Sequence, residues 1–379
     1  MNAESAEMRI ATQSVSNASA FAQFAPAADR REHRIDYQHW DEALAFMVIP
    51  MGPSLREGAP RVRPETGTRF IYGHRSRYRL EGNRLAFSFL DAKILNALTQ
   101  YRQDLERVGN ELDIVHLPRN EQLSYWINLH NVAVIEALAH QYPMREPAEG
   151  SFGSNETTLQ DAKLVTIDGV QLSPRDIREK IVYPNWSDPR VIYGFWRGEI
   201  GGPSIQRLAY TGSNVDQLLA LNAEEFVNSL RGVEAYGGAL RISQIYEEAA
   251  PFYFADDADL KTHLSQFARD DVKKLISKKD RIAINRYDGN IADLVFGHSD
   301  PGLTFVCTQG RGAGAIGQGG GIGPGACSDA RTQPNRAVTR LMFERAQKLN
   351  RAYRRGIRTG TVIYGDGQYA GGEGPREVE

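Results

Sequence analysis

Asn120-Glu121-Gln122-Leu123-Ser124-Tyr125-Trp126-Ile127-Asn128-Leu129-His130-Asn131-Val132-Ala133-Val134-Ile135-Glu136-Ala137-Leu138 is the stretch on which the fold turns. At about 100° per residue, Leu123, Trp126, Ile127, Val134 and Leu138 share one side of a helix, with Asn120 as its expected N-cap. His130 lands in the middle of that apolar side and Asn131 at its edge. A polar group buried without a partner costs about 1–3 kcal/mol, so both must find partners in the fold or in a ligand. Two readings stay open: a core histidine and asparagine tying the helix to neighbouring backbone, or side chains that line a cleft.

Outward from this helix, residues 35–47 carry a helical pattern with Trp40, Leu44 and Met47 on one face. Residues 70–90 alternate and break at Glu81-Gly82-Asn83, predicting a hairpin whose Tyr78 and Leu80 share a core with Leu85, Phe87 and Phe89. Residues 164–167 and 170–172 flank Asp168-Gly169, the signature of a second hairpin. Ser173, Pro174 and Asp176 then suit the N-cap, first and third positions of a short helix to about residue 181. The apolar run 191–196 predicts a buried strand. Residues 215–230, capped near Ser213 or Asn214, and 259–276, with Leu260, Leu264, Phe267 and Leu275 in one stripe, predict two more helices. Strands and helices do not alternate strictly, so the class is α+β: one main domain over 34–297, with helices packed on a small mixed or antiparallel sheet.

A chain of 379 residues, 41% hydrophobic and 24% charged, can bury a sizeable core, which excludes disorder throughout. Lys and Arg total 45 against 47 Asp and Glu, so no overall charge points to nucleic acid. Every apolar stretch falls short of the ~18 residues of a transmembrane segment. Residues 1–33 read as a disordered lead without the features of a signal peptide; the chain reads as cytoplasmic as written, and as exported if translation starts upstream. Cys307 and Cys327 cannot supply a disulfide framework, and the eight histidines lack paired metal spacing, so neither metal nor cofactor is expected. Asp256, Asp257 and Asp259 are explained by capping a helix start.

From Gly310 to Gly325 nine of sixteen residues are glycine, and residues 298–330 read as a linker. Gly312, Gly314 and Gly317 match a dinucleotide-binding pattern, yet Gln318-Gly319-Gly320-Gly321 stands where its helix should open. Residues 331–358 form a basic amphipathic helix before a flexible tail, 359–379. Arg336, Arg340, Arg345, Lys348, Arg351, Arg354 and Arg355 oppose Val338, Leu341, Met342 and Leu349. Docking on the parent domain is the expectation; a protein partner is the alternative use of this helix.

The string Tyr125-Trp126-Ile127-Asn128-Leu129-His130-Asn131, then Tyr142-Pro143, Leu172-Ser173-Pro174-Arg175-Asp176-Ile177, Asp188-Pro189-Arg190, Gly202-Pro203-Ser204-Ile205 and Leu240-Arg241-Ile242-Ser243 resemble the family catalogued as domain of unknown function 547. The similarity spans roughly residues 35–295, and the tryptophan-to-asparagine string is its specific part. What the resemblance implies is a thiol-hydrolase fold of the papain or transglutaminase kind. In this chain Ile192 stands where the family's His is usual, Gly202 where its Cys is usual, and Arg197 at another common Cys position. None of them supplies a thiolate or a base.

Residues 195–204 instead offer a glycine-rich turn with one carboxylate and one guanidinium. Arg190 or Arg197 can clamp a carboxylate or phosphate, and Glu199 is a candidate general base; the plainer reading is an ion pair closing a tight turn. The expected cleft combines Asn128, His130, Asn131, Arg190, Arg197 and Glu199 around a small anionic ligand, in a binding or scaffold module. The alternative is an amide hydrolase in which His130 or Glu199 acts as base on water.

Overall fold

A computed structural model of the chain describes residues 20–28, 32–64, 73–298, 303–307 and 330–357. The glycine-dense tract 310–325 with its dinucleotide-like pattern, Cys327 and residues 358–379, which hold the expected tail, fall outside the described residues, as do 1–19 and 29–31 of the lead, while the expected linker 298–330 contains a described strand at 303–307. Phe24, within the lead, is buried edge-on against Trp126 with ring centroids 5.4 Å apart.

The described elements are helices α1 (Gln38–Met47), α2 (Ala92–Glu111) and α3 (Arg119–Gln141), short helices α4 (Pro174–Asp176) and α5 (Tyr183–Asn185), then α6 (Val215–Val227), α7 (Ile245–Tyr253), α8 (Asp257–Phe267), α9 (Asp270–Ser277) and α10 (Arg336–Arg354). Strands are β1 (Val48–Ile49), β2 (Arg84–Leu85), β3 (Val165–Ile167), β4 (Val170–Leu172), β5 (Val233–Tyr236), β6 (Ala239–Ser243), β7 (Ile282–Arg286), β8 (Leu303–Cys307) and β9 (Ala330–Pro334). The three-stranded sheet is mixed: β6 pairs antiparallel with β5 and parallel with β7. The class is α+β.

Helix α3 runs through the core, and the single apolar face expected of it is an understatement. Eighteen of its residues are buried, among them Glu121, Gln122, Ser124, Asn128, His130, Asn131 and Glu136, so protein surrounds it on every side. Each buried polar group therefore needs a fixed partner. Gln122 donates to the carbonyls of Val115 and Leu117, and Tyr125 to that of Leu105 at 3.0 Å. The helix begins one residue before the expected cap: Pro118 holds the N-cap position and Asn120 lies in the first turn, bonded to Asp216.

Local chemistry explains the elements that match expectation. Asp168 and Gly169 both take positive φ and join β3 to β4. Ser173 and Asp176 form a reciprocal capping box with Pro174 in the first turn. Helix α1 buries Trp40, Leu44 and Met47, and Asp256 caps α8 by accepting from Ala258 and Asp259.

Three expectations are corrected. No hairpin spans the described part of 70–90: Gly82 takes φ +70, Arg84 donates to the carbonyls of Tyr78 and Asn83, and these bonds curl 78–84 into turns. Strand β2 pairs instead with β1. The expected strand at 191–196 is largely a 3₁₀ helix, Pro189–Gly194, because Asp188 caps the Arg190 amide at 2.9 Å and Pro189 presets the first turn. The expected helix 259–276 is two helices, since Asn228 inserts between them, donating to the Phe267 carbonyl (2.8 Å) and accepting from the Arg269 amide (2.7 Å).

Helix α10 packs on the main body. Ala337 and Leu341 join Met51, Leu80, Ala86, Leu294 and Val295 in a second apolar cluster. Its basic residues bond inward: Arg345 to the Pro50 carbonyl, Arg340 to that of His74, Lys348 to those of Gly52 and Leu80. Arg79, almost fully buried, grips Glu344 with two bonds of 2.7 and 2.8 Å, and Arg351 and Arg355 pair with Glu57.

Candidate functional site

Segment 188–211, which follows the capping-box helix, is stitched to α3 by side-chain amides. Asn128 donates to the Tyr210 carbonyl at 2.7 Å and accepts from its amide at 3.1 Å. Asn131 does the same one turn on, donating to the Gly194 carbonyl (3.0 Å) and accepting from the Trp196 amide (2.9 Å). These side chains pin two irregular stretches whose backbone lacks ladder partners.

His130, 0% exposed, points to the opposite neighbour. Its Nε2 lies 2.9 Å from Arg178 Nη1, and its Nδ1 lies 3.1 Å from Asn131 Oδ1. A guanidinium only donates, so Nε2 is the unprotonated nitrogen and Nδ1 carries the hydrogen given to Asn131. Burial, then the Arg178 charge, hold the imidazole well below its ordinary titration range. It is neutral, and its single lone pair is occupied.

Arg178 in turn binds Gln160 at 2.8 Å and forks onto Glu248 of α7 at 2.8 and 3.1 Å. Arg197 forks onto the same carboxylate at 2.8 and 3.0 Å, and Tyr183 donates to it at 3.3 Å. Burial opposes ionisation of Glu248, but the two guanidiniums outweigh it and hold the carboxyl far below the usual range. The result is a carboxylate gripped by two arginines, with Arg175 a further 3.8 Å pair and His130 at one end.

Glu199 stands on the turn beside this cluster. Its backbone bridges to Ile291, and its carboxylate accepts from Tyr287 Oη. Burial raises its titration to about 7, against the opposing pull of the Tyr287 bond and Arg197. Gly202 follows: a Cβ built there would lie 3.3 Å from Arg197 Cβ and 3.6 Å from Tyr287 Oη. A side chain at 202 would thus point between Arg197 and Tyr287. Ile192 is buried.

Of the six expected cleft residues, His130, Asn131 and Arg197 belong to one bonded network, with Glu199 on the adjoining turn. Arg190 pairs with Asp188 and Asp216 near the start of α6 and shares no carboxylate with Arg197. Ser204 Oγ donates to Glu225 and accepts from Arg231. Sequence reasoning missed Arg178, Glu248, Gln160 and Tyr287. Glu248 had no distinguishing signal, since Glu247 stands beside it in the first turn of α7. Two shallow depressions, about 380 Å³ beside Phe152 and Lys163 and about 470 Å³ beside Lys261 and Ser277, lie elsewhere. Among the described residues no group of three His, Cys, Asp or Glu is placed to hold a metal, and no helix is long and apolar enough to cross a membrane.

Residues 114–227 match the family model described as "Protein of unknown function, DUF547", so the chain carries a domain of that family, covering all of α3 and the whole stretch from the capping box to the end of α6. No curated protein and no solved structure matches the chain.

Proposed function

We propose that this domain is a small-ligand-binding module with a degenerate thiol-hydrolase-like cleft, which takes a carboxylate- or phosphate-bearing ligand between Arg197, Glu199 and Tyr287. The placement of Gly202 carries the reading: a Cβ there, where the family resemblance puts a thiol side chain, would lie against Arg197 Cβ (3.3 Å) and Tyr287 Oη (3.6 Å), so glycine keeps the turn free of a side chain beside Arg197, Glu199 and Tyr287. Glu199, titrating at about 7, can stand protonated there and donate to an anion. Asn128 and Asn131 act as structural pins, and His130 with Arg178 and Glu248 fixes Arg197 from behind.

One observation favours a second reading. A carboxyl titrating near neutral pH suits a general base, so an amide hydrolase could run on Glu199 and water. His130 cannot fill that role while Arg178 holds its lone pair.

A thermal-shift panel of acetate, glutamate, a dipeptide, inorganic phosphate and a mononucleotide tests the proposal, with Gly202→Ala as the control. The melting temperature should rise with at least one anion, and the added methyl should remove that response while leaving the ligand-free protein folded. Absence of any response, or a response unchanged in Gly202→Ala, refutes it. Turnover of a dipeptide amide, lost in Glu199→Gln, would favour the hydrolase.

A further inference from the structure

Helix α10 and the Glu199 turn are distant in sequence but share a bonded path. Lys348, buried on the inner face of α10, donates to the Leu80 carbonyl at 2.5 Å and to that of Gly52 at 3.1 Å. Two residues on, Gly82 takes φ +70 and lies so close to Arg231 that a Cβ there would meet its Cζ at 2.8 Å. Asn83 then reaches the far segment, donating its amide to Ser204 Oγ at 3.2 Å and its side chain to the Ile205 carbonyl at 2.6 Å. Arg231 donates to the Gly202 carbonyl, to Ser204 Oγ and to Glu225. Gly202 closes onto the Glu199 carbonyl at 3.3 Å, and the Gly201 amide onto that of Asp288 at 2.8 Å.

Nothing in this path is slack. Leu80 is clamped by the helix, Gly82 is the one residue type that fits beneath Arg231, and Asn83 holds Ser204 and Ile205 by two bonds. Buried hydrogen-bonded segments of this kind move together, because breaking one bond strands its partner away from water.

We propose that α10 sets the geometry of the Glu199–Gly202 turn, with Lys348 as the positioning residue and Leu80–Asn83 as the connecting piece. Its functional weight rests on the ligand reading of that turn; the mechanical coupling does not. A helix fastened by buried and half-buried bonds to 50–52, 74 and 79–80 is therefore part of the site's support as well as of its own apolar cluster.

Hydrogen exchange on the full-length chain tests the coupling without any ligand. Lys348→Met keeps the apolar stem and removes the two donated bonds. Exchange at the Asn83, Gly201 and Gly202 amides should accelerate about tenfold or more, while amides of α2 keep their wild-type rates, and the pH at which Glu199 titrates should move. Acceleration confined to α10, or none, overturns the inference. If Lys348→Met does not fold, Glu344→Gln, which loosens the grip of Arg79 on the same helix, provides the same reading: the three amides must accelerate in step with those of α10, and rates that stay at wild type overturn it. A failure here leaves the ligand proposal standing, whereas a ligand response absent beside intact coupling removes only that proposal.

Discussion

Glu199→Gln is the substitution whose consequence can be worked furthest. The carboxyl titrates at about 7 in the folded chain against an ordinary 4.5. Burial favours its neutral form, so between these two values the folded state holds a proton that the unfolded state has lost. Stability from this group is therefore fully present below pH 4.5 and falls as pH rises to 7. At 1.36 kcal/mol per tenfold change in proton affinity, the loss is about 3 kcal/mol. Glutamine matches the protonated carboxyl in shape and still accepts from Tyr287, but it has no charge to bury. Urea denaturation of both proteins at half-unit steps from pH 4.5 to 8 isolates the group, since other titrations cancel in the difference. The variant should match wild type near pH 4.5 and be the more stable by about 3 kcal/mol at pH 8. Parallel curves across the range would refute the argument, because Glu199 would then titrate as an exposed carboxyl.

Two further substitutions probe the frame behind the turn. Glu248→Gln removes the carboxylate that two buried guanidiniums share and should cost about 3–5 kcal/mol in urea denaturation; a loss below about 1 kcal/mol would mean that Arg178 and Arg197 find other partners. Asn128→Leu keeps the volume but strands the amide and carbonyl of Tyr210, each worth about 1–3 kcal/mol, and a change within about 0.5 kcal/mol by the same measurement would contradict the pinning role.

Local chemistry was the legible part of the fold. Asp168-Gly169 between apolar runs, and Ser173 with Asp176 around Pro174, state their structures within a few residues. The apolar run at 191–196 did not, because a short buried run has no period to separate strand from helix, and the cap that decides the matter is the single carboxylate of Asp188. The break between α8 and α9 is written at Asn228, about 40 residues away, where no local pattern could show it. The site followed the same division. His130 and Asn131 were visible as polar residues on an apolar face, and the demand for partners was sound. Arg178, the partner of His130, and Glu248, which holds Arg178 in turn, come from elements joined to α3 only by the tertiary fold, so the neutral state of His130 could not be read from sequence. The inward bonds of α10 were hidden likewise: a basic stripe looks the same whether it faces water or backbone carbonyls.

Calorimetric titration of the anion that gives the largest thermal shift, at pH 6 and pH 8 with wild type and Glu199→Gln, tests the central claim most directly. If the ligand is held between Arg197, Tyr287 and a protonated Glu199, wild-type affinity should fall about tenfold per pH unit above 7, while the variant binds equally at both values. Equal wild-type affinity at the two pH values, or the same fall in the variant, would place the ligand somewhere other than this turn.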